Sequence, residues 1–142
     1  MPEPPSGVIA RARFPAWIAL LAYMALLSVL SHQSSLPRVA DWLPHQDKVA
    51  HFLAYVLLGA LAYRALPGTG IRRLLGAVLL AGLFGVSDEL HQALVPGRAP
   101  STLDWLADAL GSAAGAAAAT YFDPPRKNPR TFLKESAPVA DL

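Results

Sequence analysis

The uncharged run FPAWIALLAYMALLSVLS, from Phe14 to Ser31, is the feature that most constrains the fold. A helix that spans the hydrocarbon core of a bilayer needs about 20 mostly apolar residues, with a range of about 17–25. We therefore predict a first transmembrane helix at residues 14–31. The alternative is a signal peptide, but no small-x-small cleavage site follows this run and three more apolar segments do.

These further apolar segments lie at residues 48–66, 71–94 and 103–122 and are separated by the turn-forming sequences PGTG and VPGRAPS. Hydrophobic residues make up 54% of the chain and charged residues 15%, against about 25% charged residues in a typical soluble domain. A soluble all-α bundle would need polar stripes with a period of 3.6 residues, which the most apolar runs lack. We predict an all-α fold, an integral membrane bundle of four transmembrane helices in one domain at residues 14–122.

The distribution of Lys and Arg predicts the orientation of this bundle. Of the twelve basic residues, nine lie in the lead at 1–13, in the turn after the second segment or in the tail at 123–142. The nine are Arg11, Arg13, Arg64, Arg72, Arg73, Arg126, Lys127, Arg130 and Lys134. Loops rich in Lys and Arg stay in the cytoplasm. Both termini are therefore predicted to be cytoplasmic, the tail is predicted to be disordered, and the connections 32–47 and 95–101 are predicted to face outward from the inner (plasma) membrane.

Ionisable and polar residues gather at the predicted outer ends of three helices. They are Asp47, Lys48 and His51 in the second segment, Asp88, Glu89 and Gln92 in the third, Asp104 and Asp108 in the fourth, and Arg98 in the turn between the last two. Asp47, His51 and Tyr55 recur every four residues and so share one side of their helix. Ionisable groups at membrane depth are costly, and the default interpretation is a functional site.

The fourth segment carries its two acids and two glycines on one stripe. Asp104, Asp108, Gly111 and Gly115 are spaced by three or four residues. We expect this stripe to face other helices, because glycines let backbones approach closely and acids are costly against lipid. Ser101 is a candidate N-cap, with Asp104 three residues later as in a capping box. Asp104 could thus be a cap, a site residue or both.

Proton transfer and ion coordination are two chemistries open to the predicted cluster. The candidate catalytic residues are His51, Asp88 and Glu89, together with Asp47 and Asp104. Crowded carboxylates raise one another's pKa, and a neighbouring His can shuttle a proton. His51 with Asp88, Glu89 and Asp104 also offers nitrogen and oxygen ligands that suit zinc, manganese or magnesium, but no HExxH motif is present. The cofactor therefore stays unknown, with a divalent metal possible, and the absence of cysteine excludes thiolate ligands.

Binding of an anionic headgroup is a third possibility. Lys48 and Arg98 supply positive charge, and Arg suits a bidentate contact with phosphate. Tyr55 and Gln92 complete the predicted ligand-binding set. Lys48 alone could instead extend to the membrane interface without any role in a site.

Two stretches together resemble the VanZ-like family of small bacterial membrane proteins. They are DKVAHFLAYVLLGAL and SDELHQALVPGRAPSTLDWLADALGSAAG. The family pattern runs D-K-x-x-H-F-x-x-Y, D-E-x-x-Q, P-x-R and S-x-x-D-x-x-x-N-x-x-G. Its matches here are Asp47, Lys48, His51, Phe52, Tyr55, Asp88, Glu89, Gln92, Pro96, Arg98, Ser101, Asp104 and Gly111. Residue 108 is Asp where the pattern often has Asn, which weakens any transfer of a role to Asp108.

The resemblance implies a fold, a membrane location and candidate site residues, but no reaction. The founding member of the family is linked with low-level resistance to the glycopeptide teicoplanin. We expect recognition or modification of an envelope lipid or a lipid-linked glycan at an outward-facing polar pocket. The alternatives are a non-catalytic envelope-binding protein and, least favoured, a proton-coupled carrier. No nucleic-acid partner is expected, and the oligomeric state and enzymatic status stay undecided.

Overall fold

The described part of the chain forms four α-helices and no strand. The computed structural model describes residues 6–33 and 45–122, and the predicted tail at 123–142 lies outside them. The helices are α1 (Ser6–Ser31), α2 (Gln46–Ala65), α3 (Gly70–Gln92) and α4 (Thr102–Phe122). The predicted all-α class with four helices is thereby confirmed.

The helix ends lie within two residues of the sequence-based prediction, except at the start of α1. Helix α1 begins at Ser6 rather than at residue 14, because the preceding SGVIARAR is rich in Ala and Arg, which favour helix. Helix α3 ends at Gln92 rather than at residue 94. The chain turns there through Gly97, whose φ of 84° is a left-handed conformation that glycine adopts without steric cost.

Helices α2 and α4 pack with their backbones in direct contact. A Cβ atom at Gly111 would collide with the carbonyl oxygen of Phe52, and one at Gly115 would collide with that of Val56. On the other side of the contact, Gly59 lies in the same way against the backbone of Ser112. The glycine stripe of α4 is therefore a helix-packing surface, as its spacing predicted.

Large apolar side chains cover the outside of the bundle, whereas small residues fill much of its interior. On α3, Leu75, Leu79 and Leu83 are 59–62% exposed, while Ala77 and Ala81 are completely buried. Monomeric soluble proteins rarely expose such a large contiguous apolar surface. Small residues at helix contacts and large apolar residues outside are typical of helices in lipid.

Two of the helices are long and apolar enough to cross a membrane. They are the 19 residues Arg13–Ser31, with a mean hydropathy of 1.9, and the 23 residues Gly70–Gln92, with a mean hydropathy of 1.5. Only 17% and 22% of these stretches are buried inside the protein, unlike the core helix of a soluble domain. The two helices and their outward-facing side chains indicate a membrane protein.

One end of the bundle contains most of the buried polar groups. Ser31 at the end of α1 donates to Asp88 near the end of α3, across 2.7 Å. His51 near the start of α2 lies 2.9 Å from Asp108 near the start of α4. The C-terminal ends of α1 and α3 thus meet the N-terminal ends of α2 and α4, and we call this region the polar end.

At the opposite end of the bundle, the side chain of Arg73 binds the end of α2. Its Nε donates to the carbonyl oxygen of Tyr63 at 2.6 Å, and its Nη2 donates to that of Arg64 at 3.3 Å. The guanidinium also lies 4.1 Å from the centre of the Tyr63 ring. Because the last carbonyl groups of a helix lack partners within the helix, Arg73 of α3 serves as a cap for α2.

Candidate functional site

His51 of α2, Glu89 of α3 and Asp108 of α4 form the centre of the polar end. The Nδ1 of His51 lies 2.9 Å from Oδ1 of Asp108. One possible ligand atom from each of the three residues lies within 4.8 Å of the other two. Asp108 is fully buried and Glu89 is 7% exposed. Three helices thus bring one imidazole and two carboxylates together, and we call these three residues the central cluster.

Glu89 also completes the cap of α4. Ser101 is the N-cap, as predicted, because its Oγ accepts a hydrogen bond from the backbone N–H of Asp104 at 3.3 Å. The N–H of Ser101 itself donates to Oε2 of Glu89 at 2.7 Å. In a capping box that second bond would go to the residue three positions after the cap. Here a residue of α3 takes it, and the side chain of Asp104 makes a different contact.

That contact is an ion pair with Lys48. The Nζ of Lys48 lies 2.6 Å from Oδ1 of Asp104 and 2.7 Å from Oδ2 of Asp47. The side chain of Asp104 is 11% exposed and that of Asp47 is 59% exposed. Lys48 therefore bridges α2 and α4. Its charge, which was predicted to attract an anionic ligand, is already balanced by Asp47 and Asp104.

Asp88 and Gln92 face α1, and the structure shows no hydrogen bond from either side chain to the described residues of the central cluster. Oδ2 of Asp88 accepts hydrogen bonds from Oγ of Ser31 at 2.7 Å and from Nε2 of Gln92 at 3.1 Å. All three side chains are buried. Consecutive helical residues point about 100° apart, so Asp88 and Glu89 turn toward different helices. Ser31 was not among the predicted site residues, because its only signal was its place at the end of an apolar run.

The metal-ligand set weighed from the sequence needs one correction. It paired His51 and Glu89 with Asp88 and Asp104. The structure instead brings Asp108 to His51, while Asp88 is held by Ser31 and Asp104 by Lys48. Asp104 and Asp108 share one face of α4, but Asp108 lies one turn further along the helix, level with His51, whereas Asp104 lies level with Lys48. Asp108 is thus a central residue although the family pattern often has Asn at that position.

Several buried oxygen atoms of this region have no hydrogen-bond partner among the residues that the structure describes. They include Oε1 of Glu89, Oδ2 of Asp108 and the hydroxyl of Tyr55, a side chain that is 2% exposed. Oδ2 of Asp108 faces α3 at Gly85, where it lies 3.3 Å from the position of an ideal Cβ. An unpaired buried polar atom is costly, so each of these atoms is a candidate contact for a proton, a water, an ion or a ligand.

An apolar cleft of about 360 Å³ lies between α3 and α4 and has Glu89 in its wall. Ser101 lines the cleft beside Glu89, and its other walls include Val86, Leu90, Ala93 and Trp105. Clefts that bind small molecules enclose about 300–1,000 Å³ and combine apolar walls with a few polar groups. The cleft therefore offers an apolar ligand segment a route to one carboxylate of the central cluster.

Two further polar groups lie around the polar end. The buried Nε of Arg98 has no hydrogen-bond partner within residues 6–33 and 45–122, and the structure shows no bond from Arg98 to the central cluster. On the exposed surface, Nδ1 of His32 lies 3.2 Å from Nε2 of His91. Neither histidine was among the predicted site residues, because the two lie far apart in the sequence.

The comparison with protein families agrees with the motifs. A model of the VanZ/LLP1 family matches residues 7–123, which include nearly all of the four helices and every residue of the polar end named above. The suspected VanZ-like resemblance is thereby confirmed. Comparison with curated proteins and with solved structures found no match.

Proposed function

Because the chain belongs to the VanZ/LLP1 family, we propose that all four of its helices cross the membrane, with both termini in the cytoplasm and the polar end facing outward. The exposed apolar side chains support this topology for α2 and α4 as well as for the two more apolar helices. Leu53 on α2 and Leu110 on α4 are 60% and 57% exposed. The excess of Lys and Arg in the opposite connections supports the orientation.

Single cysteines test this topology directly, because the chain contains none. Thr69 and Ala99 are exposed residues in turns at opposite ends of the bundle. A membrane-impermeant maleimide should label Ala99→Cys in intact spheroplasts and should label Thr69→Cys only after permeabilisation. The reverse pattern would invert the proposed orientation, and labelling of both in intact cells would contradict the four-span topology.

We propose that the polar end binds the headgroup of an envelope lipid or of a lipid-linked glycan, with an apolar segment of the ligand in the cleft. The observation that carries this proposal is the position of Glu89. Its Oε1 is buried and has no hydrogen-bond partner among the described residues, while Oε2 accepts a bond from Ser101 and the cleft beside it is mainly apolar. An amphipathic ligand fits this combination.

The charges of the site favour a ligand rich in hydroxyl groups. Carboxylates accept hydrogen bonds from hydroxyl donors, and the buried acids outnumber the nearby cations. Lys48 is held by Asp104 and Asp47, so it contributes little attraction to a bare phosphate. Among the described residues of the polar end, Arg98 is the remaining candidate for an anion contact.

The test is the lipid that co-purifies with the full chain in mild detergent, measured by mass spectrometry. Ala93→Trp should fill the cleft without removing any side chain of the central cluster, and it should lower recovery of the bound lipid several-fold. Ala118→Trp, an exposed change on the other half of α4, is the matched control. Equal lipid recovery from both variants and from the unchanged protein would exclude the cleft as the binding site.

Modification of the ligand is a second candidate function, favoured by the contact between His51 and Asp108. A carboxylate that orients an imidazole is a common arrangement in general acid–base catalysis. Glu89→Gln and Asp108→Asn keep the shapes of these side chains but remove their proton-accepting capacity. Retained ligand binding with lost product formation in both variants would support this second function. Unaltered product formation would exclude Glu89 and Asp108 as the groups that transfer the proton.

If the protein affects susceptibility to glycopeptides, we propose that it does so by binding its envelope ligand. Expression in a sensitive host should then change the minimal inhibitory concentration of teicoplanin, and Ala93→Trp should remove the change. An effect that persists in Ala93→Trp, at equal protein abundance, would separate the phenotype from the cleft.

A further inference from the structure

The central cluster contains two buried carboxylate oxygens that lack a hydrogen-bond partner among the described residues. Oδ2 of Asp108 faces α3 at Gly85, and Glu89 follows on the same side of α3 one turn later. Asp108 is fully buried, and Glu89 is more than nine-tenths buried. The unpaired oxygens therefore lie on the two helices that face each other across this part of the polar end.

We propose that His51, Glu89 and Asp108 bind one divalent transition-metal ion of the zinc or manganese class. One nitrogen or oxygen atom from each residue lies within 4.8 Å of the other two. Ligand atoms around one ion, with bonds of about 2.1 Å, lie about 3.0–3.5 Å apart. A separation of 4.8 Å must then shorten by about 1.3–1.8 Å, which rotation of the Glu89 side chain can supply.

The balance of charge supports a cation at this position. The salt bridges of the described residues give Asp108 no cationic partner except His51 and give Glu89 none. The one Lys of this region is bound by Asp47 and Asp104. Two carboxylates buried beside a single imidazole are costly, and a divalent cation would offset their charge.

The coordinating side chains indicate which metal ions the site would bind. An imidazole with two carboxylates suits zinc or manganese better than calcium or magnesium, which prefer oxygen ligands alone. Three protein ligands leave at least one coordination position for water or for a ligand. Because Glu89 lines the cleft, that position is accessible from the side where the proposed lipid or glycan would enter.

The experiment measures metal binding by the full chain in detergent after treatment with a chelator. Zinc ions alone are the first probe, by isothermal titration calorimetry and elemental analysis, and manganese ions are the second, by electron paramagnetic resonance. We expect one ion per chain and at least a tenfold weaker affinity in Glu89→Gln and His51→Gln. Asp88→Asn is the matched control, because it removes a buried acid of the same region that lies outside the central cluster.

Three results would overturn the inference: no stoichiometric binding by the unchanged protein, unaltered affinity in Glu89→Gln, or an equal loss in Asp88→Asn. Circular dichroism identifies a variant that does not fold, and Glu89→Gln is the safest substitution because a Gln oxygen can still accept the Ser101 bond. The proposed metal site lies in the same polar end as the proposed lipid or glycan site, but metal binding does not depend on the identity of that lipid or glycan. Metal binding without lipid recovery would contradict the proposed function alone, and lipid recovery without metal binding would contradict this inference alone.

Discussion

Gly111 of α4 lies directly against the carbonyl oxygen of Phe52 on α2, with no space for a side chain between them. His51 precedes Phe52, and Asp108 lies one helical turn before Gly111. The backbone contact therefore sets the distance between the two helices at the level of the central cluster. The 2.9 Å separation of His51 and Asp108 depends on it.

Substitution of this glycine should separate the two helices. In Gly111→Ala the new methyl group collides with rigid backbone, so we expect a loss of about 3 kcal/mol or more in the free energy of unfolding. Denaturant titration in detergent micelles, followed by circular dichroism, measures the loss. Gly82→Ala is the control, since no atom lies within 4 Å of its Cβ position. A Gly111→Ala protein as stable as the Gly82→Ala protein would show that α2 and α4 do not need this close approach.

The two acids that bind Lys48 should contribute unequally to stability. Asp104→Asn breaks an ion pair whose acidic side chain is 11% exposed, and we expect a cost of about 1.5–3 kcal/mol. Asp47→Asn removes a 59% exposed partner and should cost less than about 0.5 kcal/mol. The same unfolding titration compares them. Equal effects would mean that Lys48 does not bridge α2 and α4 in solution.

The hydrogen bond between Ser31 and Asp88 should hold α1 against α3. Ser31→Ala leaves a buried carboxylate with only Gln92 as a partner among the described residues, and we expect a cost of about 1–3 kcal/mol. Ser28→Ala changes an exposed serine one turn earlier and serves as the control. Hydrogen exchange should show faster opening at the end of α1 only in Ser31→Ala. Unchanged exchange there would rule out this contact as an anchor.

At the opposite end of the bundle, Arg73 should stabilise the last turn of α2. Arg73→Met removes its bonds to the carbonyl oxygens of Tyr63 and Arg64, with an expected cost of about 1.5–3 kcal/mol. Arg72→Met, at an exposed neighbouring position, should be nearly neutral. Thermal unfolding of the two variants provides the comparison, and similar melting temperatures would contradict the capping role.

Local patterns in the sequence were sufficient for the number of helices and for much of their packing surface. Apolar runs of sufficient length identify the helices whatever their neighbours are. The spacing of Gly111 and Gly115 placed both on one stripe, and that stripe lies against α2. The alternation of helix direction placed the acids of three segments at one end. These features depend on helix periodicity and length, which are local properties.

The partners of the individual acids could not be predicted in this way. Asp88 and Glu89 are neighbours in sequence, yet one contacts α1 and the other contacts the cap of α4. Ser31, which donates a hydrogen bond to Asp88, has almost no signal in the sequence. The choice between two adjacent carboxylates depends on how far α3 is rotated about its axis, and no periodicity within α3 specifies that rotation.

The sequence by itself therefore determined an all-α family member with membrane-like helices and a polar end. Only the tertiary structure decided that Asp108 meets His51 and that Lys48 is bound by Asp104. The physical reason is that helix rotation and separation come from the packing of all four helices together. At the centre of that packing are the backbone contacts of Gly59, Gly111 and Gly115, which only exist once α2 and α4 have come together.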